Sequence, residues 1–161
     1  DDLMNSLYRS APLHDIGKVG ISDRILLKQG RLSKKEFEEM KRHTIIGRNI
    51  IAATNRKLGN QSFLKIAHEL VYTHHEKWDG SGYPQGLKEE QIPLSGRLMA
   101  LADAYDALIS RRVYKPAFAH EKAVAAIRSE SGKSFDPKIV DVFGRLTDDF
   151  KKISQKYTDR N

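Results

Sequence analysis

Leu98-Met99-Ala100-Leu101-Ala102-Asp103-Ala104-Tyr105-Asp106-Ala107-Leu108-Ile109 is apolar on almost every side when wound into a helix. A helix of that kind belongs in the interior of a protein, with other helices around it. Ser95 stands ready as its N-cap. Two aspartates, three residues apart, sit in its middle. A buried carboxylate without a partner is strongly destabilising, so each requires a cation, hydrogen-bond donors or a metal ion. The spacing can place both on one face. Equally, one can meet a metal while the other accepts hydrogen bonds, and Arg97, Arg111 and Arg112 are near enough in sequence for an ordinary salt bridge.

Helical patterns continue on both sides. Upstream, Ser62 caps a stripe of Phe63, Ile66, Ala67, Leu70 and Val71. Ser33-Lys34-Lys35-Glu36 is a capping box that opens a stripe of Phe37, Met40, Thr44, Gly47, Ile50 and Ile51. Residues 2–12 form a helix with Leu3, Met4, Leu7 and Tyr8 on its apolar side. Val19-Gly20-Ile21 is a short extended piece, and Ser22-Asp23 caps the turn carrying Ile25, Leu26 and Leu27. Downstream, residues 120–130 form an amphipathic helix on Ala123, Val124 and Ile127. Asp136-Pro137 then opens a last helix through Ile139, Val140, Phe143, Leu146 and Phe150. No repeat or low-complexity segment appears, strands are minimal, and the expected fold is all-α.

Side chains suited to chemistry collect at the ends of these helices. His14-Asp15 offers an imidazole and a carboxylate, a ligand pair that suits a borderline-hard divalent metal. Gly17 allows a sharp turn or a close backbone approach, and Lys18 adds a cation one turn beyond His14. His43 points toward the core side of its helix with Gly47 beside it, where a buried histidine satisfied by one hydrogen bond is the simplest reading. His74 continues the stripe of the helix after Ser62, and at a frayed C-terminus His75 can turn toward the same point. Glu76 follows. The stretch from Trp78 to Leu87, with three glycines and a proline, is an irregular loop. His68, off its stripe, and His120, at a helix start, read as surface or capping residues.

The bulk properties agree with one soluble domain. The chain has 161 residues, 39% hydrophobic and 30% charged, with a formal net charge of +7, which suits an anionic substrate or an acidic partner. The basic residues are mixed with acids rather than interleaved with aromatics, which argues against a dedicated DNA-binding role. No apolar run is long enough to span a membrane, and the absence of cysteine excludes disulfides and thiolate metal sites.

In combination the motifs are more specific. His14-Asp15-Ile16-Gly17-Lys18, His74-His75-Glu76, Gly82-Tyr83-Pro84 and Asp103-Ala104-Tyr105-Asp106-Ala107-Leu108 occur in the order of the HD-GYP domain. The chain resembles that family, the branch of the HD phosphohydrolase superfamily that degrades cyclic di-GMP. The resemblance covers residues 1–161 and implies one compact helical HD-domain bundle with a Gly-rich GYP loop. It implies two or three divalent metal ions, iron or manganese, held by His14, Asp15, His43, His74, His75 and Asp103, with Asp15 bridging two of them. It further implies that a hydroxide generated between the metals cuts the phosphodiester to linear pGpG and/or GMP. Asp15 and Lys18 are then the catalytic pair, with Lys18 at the scissile phosphate and Arg112 and Lys115 on other phosphate groups. Glu76 and Asp106 orient ligands and helices. The Gly82-Tyr83-Pro84 loop shapes the rim and is associated with binding diguanylate cyclase (GGDEF) domains.

Family members also carry a helix upstream of the HD pair that supplies a further metal-binding histidine. Here it is expected before Asp1, so the domain is expected to be N-terminally incomplete. Val113 replaces the usual proline, a minor departure. The segment from Ala11 to Lys28 resembles HD-GYP domains that follow a receiver domain in bacterial response regulators, which implies an upstream receiver or sensor domain and a cytoplasmic location. Two alternatives stand beside the leading expectation. One is a phosphohydrolase acting on another cyclic dinucleotide or a nucleotide. The other is a non-catalytic module that binds cyclic di-GMP or a GGDEF domain.

Overall fold

The computed structural model describes residues 2–59, 61–110 and 117–158. The helices are α1 (Asp2–Ser10), α2 (Asp23–Leu26), α3 (Lys34–Lys41), α4 (His43–Leu58), α5 (Ser62–Thr73), α6 (Leu94–Ile109), α7 (His120–Ser129), α8 (Pro137–Arg145) and α9 (Thr147–Thr158). Short 3-10 turns cover Ala11–Leu13, Ile16–Gly20 and Glu89–Gln91. Among the described residues there is no strand, only an isolated bridge between Ser131 and Phe135. The all-α expectation holds.

The centre of the bundle is α5, which packs against α1, α4 and α6. Ile51 of α4 and Leu64, Ala67 and Val71 of α5 form one buried cluster. Leu101 and Tyr105 of α6 form a second with Ala123, Val124 and Ile127 of α7 and Val140 and Phe143 of α8. Each fully buried leucine, isoleucine, valine or phenylalanine here contributes roughly 1.5–3 kcal/mol, which individual helices this short lack on their own.

Several local expectations are corrected. Helix α6 starts at Leu94 behind Pro93, and Ser95, inside it, donates to Glu69 Oε2 at 3.3 Å rather than capping. It is not interior on all sides: Leu94 and Leu98 are exposed, and so is Asp106, while Asp103 is half-buried. Arg97 pairs instead with the buried Asp136, Nη1 to Oδ2 at 2.7 Å, while Asp136 also caps α8 by accepting from Lys138 N–H. On the expected apolar side of α1, Leu3, Met4 and Tyr8 are exposed and only Leu7 is partly covered, while Ser6 and Ser10 are the buried residues among its described side chains. Ser10 Oγ donates to Phe63 C=O at 2.8 Å, which ties α1 to the start of α5. Val19 and Gly20 belong to a 3-10 turn, and only Ile21 is extended. Ser22 and Ser62 make no capping hydrogen bond, and α5 begins after Gln61. The helix expected from Ser33 to Ile51 breaks at Arg42, and the last one breaks at Leu146. His120 is not a free surface residue, since its Nδ1 lies 2.8 Å from the hydroxyl of buried Tyr105.

Helix α3 buries none of its residues. It holds its shape through the capping box, with Ser33 N–H donating to Glu36 Oε2 at 2.7 Å, and through Lys28 Nζ donating to the same oxygen at 2.6 Å. A cap of this kind contributes about 1 kcal/mol. That suffices to set α3 as a bracket beside the start of α4.

Candidate metal centre

The site forms where three chain segments meet at one end of α4 and α5. The 3-10 turn Ile16–Gly20 lies directly against α4, and the contact is glycine on glycine. A Cβ on Gly17 would stand 1.8 Å from the carbonyl oxygen of His43 and 2.5 Å from Gly47 N. A Cβ on Gly47 would meet Val71 Cγ1 at 2.5 Å. Only with both side chains absent does the His14-Asp15 pair come beside His43. Helix α5 ends at Thr73, so His74 is its C-cap and His75 lies just beyond. That break turns both rings toward Asp15.

Ligating atoms of Asp15, His43, His74 and His75 all lie within 4.8 Å of one another. Asp15 Oδ1 is 3.5 Å from His43 Nε2 and 3.8 Å from His74 Nε2. The other oxygen, Oδ2, is 3.3 Å from His14 Nε2 and takes an ion pair with Lys18. His14 Nε2 is in turn 3.7 Å from Asp103 Oδ1. One carboxylate thus stands between two donor sets: His43, His74 and His75 on one side, His14 and Asp103 on the other.

The imidazoles are oriented by backbone carbonyls. His14 Nδ1 donates to Ala11 C=O at 2.8 Å, His43 Nδ1 to Met40 C=O at 2.7 Å, and His74 Nδ1 to Val71 C=O at 3.0 Å. Each acceptor is three residues back, where a helical turn presents its carbonyl. A proton on Nδ1 leaves Nε2 of a neutral ring with a lone pair. The Nε2 atoms of His43 and His74 nevertheless face each other at 3.5 Å, beside an Asp15 Oδ1 that is buried and has no hydrogen-bond partner. Three electron-pair donors converge there with no proton among them, and a divalent cation is the partner such a set fits.

The electrostatics agree. Burial, reinforced by neighbouring imidazoles, lowers His74 to about 4 and His75 to about 3, and burial lowers His43 as well. These rings are neutral at pH 7 and need lose no proton to bind a metal. Burial pushes the Asp15 carboxyl up, but its hydrogen bonds with His14 and Lys18 outweigh this and hold it well below the usual carboxylate range. The hydrogen bond with Asp15 raises His14.

The loop after α5 is folded onto the site by Glu76. This buried carboxylate accepts from Gln85 N–H at 2.7 Å and Leu87 N–H at 3.0 Å. Tyr83 N–H donates to His75 C=O at 3.1 Å, and the Tyr83 ring lies over His75 with centroids 4.9 Å apart. Gly82 fits because a Cβ there would fall 2.3 Å from Lys77 N. The Tyr83–Pro84 peptide is cis. Replacing Glu76 with alanine is expected to cost about 2 kcal/mol by leaving two amides unpaired. Hydrogen exchange at Gln85 and Leu87 should then quicken about thirtyfold, and unchanged exchange would show that the loop holds itself.

The structure therefore brings together His14, Asp15, Lys18, His43, His74, His75 and Asp103, with Glu76, Gly82, Tyr83 and Pro84 around them. It does not bring Asp106 into the interior. Arg112 and Lys115 lie outside the described residues. The reading of the sequence missed the carbonyls that orient the rings, whose only signal is a main-chain acceptor three residues before each histidine. It also missed Phe37 and Lys41, which reach Tyr83 from α3.

Fold and site together define a helical domain built around an adjacent His-Asp pair, with a donor set that could hold a metal ion. The profile of the HD domain family matches residues 2–139, and the chain belongs to that family. It is 58% identical over 153 residues to a cyclic di-GMP phosphodiesterase of Vibrio cholerae serotype O1, a match covering 95% of this chain and 31% of that protein. A cyclic di-GMP phosphodiesterase of Thermotoga maritima is 47% identical over 152 residues, 94% of this chain and 40% of that protein. This chain thus spans well under half the length of these relatives. Its fold is also that of a crystal structure of a cyclic GMP-AMP specific phosphodiesterase of Vibrio cholerae, V-cGAP3. That likeness has a TM-score of 0.57 at 22% identity and covers 92% of this chain and 39% of the other. No described helix is long and apolar enough to cross a membrane.

Proposed function

We propose that this domain hydrolyses the phosphodiester bond of cyclic di-GMP to linear pGpG and/or GMP. The observation that carries the reading is the Asp15 carboxylate, with one oxygen turned to His43 and His74 and the other to His14. Those two donor sets suit two divalent ions. Mixed imidazole and carboxylate donors without thiolate are compatible with iron or manganese. When bound, such ions polarise a phosphoryl oxygen and lower the pKa of water. The chain's own groups do the rest. Asp15 holds the two donor sets in register, and burial excludes bulk water from His43 and His74. Lys18, already paired with Asp15, supplies a point charge for the phosphate, while Arg112 and Lys115 take the substrate's other phosphate oxygens. The elements of water are added across the bond from phosphorus to the 3′ oxygen: hydroxyl goes to phosphorus and a proton to the departing oxygen.

The names of the relatives support this substrate, and their greater length supports residues 1–161 being the hydrolase domain of a longer signalling protein with a receiver or sensor domain. A chain without cysteine is compatible with the bacterial cytoplasm. The exposed rim around the Gly82-Tyr83-Pro84 loop is the surface we assign to a GGDEF partner.

The test is anaerobic loading with ferrous iron or manganese, followed by incubation with cyclic di-GMP. Production of pGpG or GMP is expected. Tight binding without turnover would instead indicate a binding module, and faster turnover of 3′3′-cGAMP would overturn the substrate assignment.

A further inference from the structure

We propose that Phe37 and Lys41 of α3, braced by Tyr83, form a guanine-binding subsite beside the metal centre. In it Phe37 stacks the base and Lys41 reads its acceptor edge. The inference rests on the cyclic dinucleotide reading above and deepens it.

Phe37 falls on what the apolar pattern makes the core side of α3, yet it is 46% exposed and belongs to neither buried cluster. A single exposed phenylalanine is ordinary. This one stands at the end of an unbroken series of rings that begins at the metal centre. The Tyr83 ring lies over the His75 ring at 4.9 Å, and the Phe37 ring meets Tyr83 edge to face at 6.1 Å and 84°. Lys41 Nζ sits over both aromatic rings, 5.4 Å from Phe37 and 5.5 Å from Tyr83. Glu38 Oε1, at 2.7 Å, engages that ammonium, which carries three donors in all.

This arrangement suits the chemistry of one nucleotide. A base is separated from its phosphate by one sugar ring, and Phe37 is separated from His75 by one tyrosine ring. With the phosphate among the metal ligands and Lys18, the base is carried out toward α3. There an exposed aromatic ring supplies a stacking surface that every base accepts. The ammonium supplies the discrimination. Guanine presents two acceptors, O6 and N7, to a lysine, whereas adenine puts an amino donor beside its N7. A cation over the platform therefore favours guanine. Tyr83, held by the Glu76-anchored loop, is the buttress that keeps Phe37 and Lys41 at a constant distance from the centre.

The test uses the metal-loaded chain. Michaelis constants are measured for cyclic di-GMP and 3′3′-cGAMP, and competitive inhibition of the initial rate of cyclic di-GMP cleavage gives affinities for linear pGpG and pApA. Phe37→Ala is expected to raise KM for cyclic di-GMP about tenfold, with a smaller fall in kcat, and to weaken pGpG and pApA alike. Phe37→Trp should restore tight binding, which a merely structural role would not predict. Lys41→Met is expected to weaken pGpG about tenfold while leaving pApA close to its original affinity, so that the preference for guanine shrinks. Should Phe37→Ala fail to fold, Phe37→Leu carries the same comparison, because it keeps the bulk and removes the ring. Wild-type protein that neither binds nor cleaves any of these dinucleotides overturns the phosphodiesterase reading. Wild-type protein that cleaves cyclic di-GMP, with variants whose KM and pGpG affinity are unchanged, overturns the subsite alone.

Discussion

Replacing Asp15 with alanine is expected to lower turnover of cyclic di-GMP at least about a thousandfold, a loss of several kcal/mol of transition-state stabilisation. Both oxygens of this side chain are committed: Oδ1 toward His43 and His74, Oδ2 toward His14 and Lys18. Without it, the two donor sets share no ligand, and metal content measured by elemental analysis should fall from about two ions per chain to fewer than one. The metal-free fold should hardly notice. Asp15 is partly open to solvent and its lysine partner more so, and ion pairs of that exposure contribute only about 0–1 kcal/mol. Unfolding free energies from urea titrations in chelator should therefore agree within about 1 kcal/mol, while those in excess manganese diverge because only the wild type is stabilised by the ligand. Unchanged metal content in the variant would show that Asp15 is not the shared ligand.

Replacing Gly17 with alanine should do the opposite, damaging the fold first and the site as a consequence. The new methyl group would stand 1.8 Å from His43 C=O and 2.5 Å from Gly47 N. Both obstacles are main chain, so no rotamer change relieves them, and either the Ile16–Gly20 turn or the start of α4 must move. Overpacking that forces backbone shifts costs about 3 kcal/mol or more at its upper end. The expected result is a clearly lowered urea midpoint even without metal, together with weakened metal uptake, because the same movement separates His14-Asp15 from His43. Gly47→Ala offers the comparison. Its methyl group meets the side chain of Val71 at 2.5 Å, which can yield somewhat, so the loss should be smaller. Equal losses at the two positions would contradict this account.

Helix periodicity, the caps at Ser33 and Asp136, and the ligand types follow from local chemistry, and all were readable along the chain. The breaks at Arg42 and Leu146 were not, because the apolar pattern runs through both. Nor does the apolar pattern along the chain show which helix has the most neighbours. Residues 98–109 carry the more apolar sequence, but α5 lies between α1, α4 and α6, and burial depends on neighbours rather than on composition. Phe37 shows the same limit, since an aromatic at a core-like spacing turned out to stand at the rim.

The sequence by itself determined an all-helical chain, a thiol-free donor set of histidines and aspartates, and an irregular loop after His75, because periodicity, residue chemistry and glycine content are local properties. Only the tertiary structure decided that Asp15 divides its two oxygens between donor sets, that Gly17 and Gly47 make the approach possible, and that Asp103 but not Asp106 faces the centre. Those outcomes depend on which surfaces meet, and residues far apart along the chain meet only through packing.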